Sequence, residues 1–124
     1  MKNVILKNTT LIKKLENLIK ENKEIENYNC VVAYDSPDYV VPDITGVNYN
    51  TDFNCINFTQ PQYLGDKAIK VKELLKELKK YNKKGVEIID IEYSNYILTE
   101  LKPMQEKYNI KNLYFVFKNR WEVQ

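Results

Sequence analysis

Three carboxylates fall within the short stretch YDSPDYVVPD, at Asp35, Asp38 and Asp43, and the last two each follow a proline. Carboxylates are the ligands that a hard divalent cation takes, but such an ion needs several oxygen donors at once. A cation held that way would activate a water for hydrolysis. An aspartate behind a proline has a second use, accepting backbone N–H groups inside a turn. Asp90 and Glu92 form another acidic pair. They alternate along a strand-like run, so their side chains leave the same face, and Asp35 ends a candidate neighbouring strand. Strand ends in open α/β sheets are common ligand sites.

Other chemistries lack their residues. The chain has no histidine, the side chain most used as a general base near neutral pH. Cys30 and Cys55 lie too far apart for metal-ligand spacing and are expected as free, buried thiols. The three glycines, Gly46, Gly65 and Gly85, are isolated, so no glycine-rich phosphate loop exists. No cofactor is expected.

Charge is segregated. No lysine or arginine occurs between Lys23 and Lys67, whereas Glu24, Glu26, Asp35, Asp38, Asp43 and Asp52 are all acidic. The following segment is rich in lysine, and Lys72, Lys76, Lys79 and Lys83 fall at helical spacing on one flank. The net charge of +2 therefore hides an acidic region and a basic helix. Arg120 is the only arginine, a poor endowment for reading DNA bases, which leans on bidentate arginine contacts.

The elements that must position these groups follow from periodicity. Residues 9–26 carry apolar residues at helical spacing behind Asn8 or Thr9 as a cap. Residues 29–34 and 39–41 read as strands, and the polar run 48–52 as a hairpin turn before a strand over 53–58. Asp66 opens a second helix that Gly85 closes. Residues 86–92 read as a buried strand, 94–108 as a third helix interrupted by Pro103, and 113–123 as a final strand. The expected fold is one α/β domain over 1–124, bordering on α+β, of order α-β-β-β-α-β-α-β. Its mixed sheet is flanked by helices, with a hairpin in the first half and parallel crossovers in the second.

The first elements, with Pro42-Asp43, resemble the core order of the PD-(D/E)xK nuclease superfamily. The resemblance implies a metal-holding role for Asp43, an acidic partner on the next strand and a lysine two residues on. At that place the chain has Asn57-Phe58-Thr59, which supplies neither. The later match to the spacing, Glu77-Leu78-Lys79, falls inside the second helix, where residues two apart diverge by about 200°.

With catalytic groups sparse and charge segregated, the expectation is a non-enzymatic binding protein, an inhibitor, immunity or assembly factor. Its partner-contacting residues would be Asp35, Asp38, Tyr39, Asp43, Tyr49 and Asp52, since tyrosine brings apolar area with a polar tip. The lysine flank would meet phosphate or an acidic surface. The partner is expected to be another protein. A homo-oligomer such as a virion ring, a nucleic acid or a sequestered nucleotide stand behind it, as does a divalent-metal nuclease-like domain. The Lys-, Asn- and Ile-rich composition suggests AT-rich coding, as in phages and mobile elements. The segment after Met1 returns to Lys and Asn instead of building an apolar block. A cytoplasmic protein without a membrane span is therefore expected.

Overall fold

Leu11, Ile12 and Leu15 form the buried stripe of helix α1, Asn8–Glu21, in the computed structural model of the chain. The structure describes residues 5–35, 40–62, 65–81, 85–90, 95–105 and 111–122. The helix stops five residues short of the expected end. Asn22 adopts an extended conformation, and its side chain accepts a hydrogen bond from Glu24 N at 3.1 Å. That local bond competes with continued helix, and a 3-10 turn, Lys23–Asn27, buries Ile25 instead.

Asn8 does not cap the helix. It is fully buried and joins three parts of the chain. Its Nδ2 donates to the carbonyl of Tyr81 at 2.6 Å, its Oδ1 accepts from Val86 N at 2.9 Å, and its own N–H donates to Val86 O at 3.0 Å.

The strands are β1 (Asn29–Tyr34), β2 (Val40–Asp43), β3 (Gly46–Asn50), β4 (Cys55–Thr59), β5 (Tyr96–Gln105) and β6 (Lys111–Asn119). One sheet has the order β2-β1-β6-β5, with β1 and β6 parallel and the other pairs antiparallel; β3 and β4 form an antiparallel hairpin. The mixed sheet and its two flanking helices are those expected from sequence. Residues 48–50, expected in a turn, belong to β3, and the turn falls at 51–54.

The third helix is not formed. Tyr96–Gln105 lies antiparallel to β6 from Tyr96↔Asn119 to Gln105↔Lys111, so this part of the second half is a hairpin and not a parallel crossover. A register shift between Leu98 and Glu100 breaks the two-residue alternation, and Ile97, Leu98 and Thr99 are consecutively buried. A bulge of this kind hides a strand from periodicity. Pro103 fits because β5 borders its sheet, where a missing N–H is tolerated.

Helix α2, Val71–Lys79, is shorter than expected, and its cap position is Lys70, without a side-chain cap. Asp66 lies ahead of it and accepts from Gln62 N at 2.9 Å. The glycine with left-handed backbone is Gly65, at φ 97°, where a side chain would be strained, and not Gly85. Residues 86–90 do not form a regular strand but bridge two: Ile88 pairs with Ile56 of β4, and Ile89 with Ile97 of β5.

Since β2 runs through Ile44 and Thr45 into β3, backbone pairing passes from β1 to β2–β3, β4, 86–90, β5, β6 and back to β1. The main core combines Cys30, Val32 and Tyr34 of β1, Ile56 and Phe58 of β4, Leu113, Phe115 and Phe117 of β6 and the apolar stripes of both helices. Val31, Ala33, Tyr114 and Val116 form a second buried cluster, on the residues that alternate with the first set along β1 and β6.

Candidate functional site

The turn joining β3 to β4 is Thr51-Asp52-Phe53-Asn54, and all four residues are exposed. Phe53 was expected inside a strand; at 77% exposure it is the most exposed large apolar side chain among the described residues. Several bonds hold its backbone. Asn50 Oδ1 accepts from both Asp52 N, at 3.1 Å, and Phe53 N, at 3.3 Å. Asn54 takes the left-handed conformation, φ 48°, which asparagine tolerates better than most residues. The Tyr49 hydroxyl donates to Asn54 Oδ1, and its ring stacks on Tyr81 at 5.8 Å. Behind the turn, Asn50 Nδ2 reaches Asn57 Oδ1 at 3.5 Å, and Asn57 Nδ2 donates to Ile89 O at 2.8 Å. A chain of amides thus ties the tip to the body of the fold.

Of the acidic and tyrosine residues singled out from sequence, Tyr49 and Asp52 meet at this tip. Asp43 is half-buried on β2 opposite Val31, several residues along the sheet from Asp35. Asp38, Tyr39 and Glu92 lie outside the described residues, as does Lys83. Phe53 has no role by sequence because the polar run 48–52, where a turn is expected, begins three residues ahead of the turn at 51–54. The readable signal was Asn50 and Asn54 bracketing a polar turn, since asparagine both bonds local backbone and tolerates positive φ.

Asp35 and Asp90 are linked through two tyrosines. Asp35 ends β1 at φ 63°, its N–H donates to Phe117 O at 2.8 Å, and it accepts from the Tyr96 hydroxyl at 3.3 Å. Buried Asp90 accepts from the Tyr34 hydroxyl at 2.9 Å on each carboxylate oxygen. The Tyr34 and Tyr96 rings meet edge to face at 5.5 Å between the two carboxylates. Each aspartate thus holds a tyrosine hydroxyl, and among the described residues no group of three or more His, Cys, Asp or Glu side chains is placed to hold a metal ion. The nuclease-like constellation is not assembled there: β4 carries Asn57 where a carboxylate is needed, and that amide holds Ile89.

Lys72 and Lys76 are exposed on α2, and Lys79 bridges Glu16 of α1 at 3.2 Å. Arg120 opens a 3-10 turn, Arg120–Glu122. Its guanidinium engages Glu87 through both terminal nitrogens, at 2.9 and 3.1 Å, and this fixes the turn that leaves Trp121 73% exposed. Lys111 beside exposed Glu24 lowers that carboxyl from its ordinary value.

Both thiols are free. Burial pushes Cys30 well above its ordinary value and raises Cys55 as well. A raised value keeps the unreactive thiol form at neutral pH. Ellman's reagent is therefore expected to label neither cysteine in the native protein and both in denaturant; prompt native labelling would contradict the packing described. No helix among the described residues is long and apolar enough to cross a membrane. Compared with known proteins, the chain matches no family model, no curated protein and no solved structure.

Proposed function

We propose that this chain is a protein-binding domain, an inhibitor, immunity or assembly factor of a phage or mobile element, which engages its partner through the β3–β4 tip. The observation that carries the reading is the exposure of Phe53 on a turn whose backbone is fixed by Asn50, Asn54 and Tyr49. An aromatic side chain presented on a backbone that is fixed before contact loses less conformational freedom on binding, and aromatic side chains are enriched at protein interfaces. The ring is supported by an acidic neighbour, Asp52, in a region without cations, which favours a basic partner surface.

A photoreactive phenylalanine analogue at position 53, introduced in cells of the source host, is expected to crosslink to one discrete protein. Against that purified protein, Phe53→Ala should weaken binding at least tenfold, about 1.4 kcal/mol, with an unchanged thermal unfolding midpoint. Equal affinity of the variant would refute the assignment.

A further inference from the structure

The bridge between Glu16 and Lys79 marks the line along which α1 and α2 meet solvent together. Residues one helical turn from these two border the same seam. On α1 these are Lys13 and Lys20, and on α2 Lys76, with Lys72 a turn further; all four are exposed. The helices run antiparallel, since Asn8 at the start of α1 bonds Tyr81 beyond the end of α2. Lys72 and Lys76 lie only about 40° apart around α2. Among the described residues no ion pair engages Lys13, Lys20, Lys72 or Lys76, and Glu16 is already bridged.

The tip has the opposite character, a carboxylate beside an exposed ring within a stretch that holds no cation from residue 24 to residue 66. Within one chain the tip stands toward the end of α2 that lies opposite Lys72. Tyr49 stacks on Tyr81, just past the C-terminal end of α2, whereas Lys72 lies in its first turn.

We propose that the tip of one copy docks on the lysine seam of a second copy. Asp52 pairs with an ammonium group of the seam, and the Phe53 ring covers the lysine stems and receives a second ammonium over its face. Because tip and seam are different surfaces, the contact is heterologous and repeats from copy to copy, closing into a ring or running on as a chain. This inference rests on the tip being a binding element and names a second copy as its partner.

Sedimentation equilibrium over a concentration series tests it. The wild-type average mass should rise with concentration above the 14.8 kDa of one chain. It should fall back in 1 M salt, where screening acts within about 3 Å. Asp52→Lys alone and the pair Lys72→Glu with Lys76→Glu should each remain monomeric, and the three substitutions combined should associate again. All three positions are exposed, and circular dichroism verifies the fold of each variant.

A monomeric wild type at every concentration overturns the proposal. So does association that survives Asp52→Lys, or an oligonucleotide complex that needs Lys72 and Lys76 while the protein stays monomeric. A monomeric wild type that still crosslinks to another protein through position 53 would remove this inference and leave the binding role intact. Self-association unaffected by Phe53→Ala would overturn the docking of the ring on the lysine stems.

Discussion

Phe115→Ala is expected to lower the unfolding free energy by about 3–5 kcal/mol, the usual range for truncating a buried phenylalanine. Phe115 is fully buried at the middle of β6, the strand that pairs with β1 on one side and β5 on the other. The Phe58 ring meets it edge to face at 5.4 Å and meets Phe117 in the same way at 6.0 Å. Alanine there forfeits the transfer free energy of the ring and leaves a cavity beside Phe58, which a β6 paired on both sides cannot easily move to fill. Domains of this size have stabilities of about 5–15 kcal/mol, so a large part of the total is at stake. Chemical denaturation reads it: the midpoint should drop steeply for Phe115→Ala and less for Phe115→Leu, which keeps more of the volume. A loss below about 1 kcal/mol would mean that the site collapses around the truncation.

Asn8→Ala should cost about 2–4 kcal/mol, by a different mechanism. The side chain of fully buried Asn8 satisfies Tyr81 O and Val86 N, both more than seventy residues further along the chain. Removing it strands the buried Val86 N–H and takes the partner from the part-buried Tyr81 carbonyl, and each unsatisfied group carries its own desolvation cost. Asn8→Asp separates this from loss of volume. Aspartate is nearly the same size and can still accept from Val86 N, but it sets a carboxylate oxygen against the Tyr81 carbonyl. Asn8→Asp is therefore expected to destabilise at neutral pH despite its shape. Equal stability of Asn8→Asp and wild type would show that the contact with Tyr81 O contributes nothing.

Asn8 also shows how a local rule can be overridden. An asparagine ahead of an apolar helical stripe is a cap by sequence, yet here a tertiary contact with residues more than seventy positions away takes both ends of its amide. Phe53 repeats the lesson at the site. Its apolar character placed it in a strand, and only the pairing of Gly46↔Thr59 through Asn50↔Cys55 decides that the chain turns at 51–54 and leaves the ring outside. The nearness of Asp35 to Asp90 was legible as a suggestion, because Asp35 ends one apolar run and Asp90 alternates with Glu92 on the run 86–92. The intervening Tyr34, which bonds both oxygens of Asp90, and Tyr96, which bonds one of Asp35, were not.

The sequence by itself determined the α/β class, the apolar stripes of α1 and α2, the separation of acidic from basic regions, and the extended runs at residues 29–34 and from 113, the latter expected to reach 123 but ending at Asn119, where a 3-10 turn begins. These are local quantities: side-chain period, turn chemistry and charge along the chain. The tertiary structure decided that residues 96–105 form a strand, that residues 86–90 join two sheets, and which surface residues stand together. The physical reason is that a bulged strand, a bridge and a hairpin tip are each defined by a partner distant in sequence. Hydrogen bonding to that partner outweighs the weak preferences that periodicity reports.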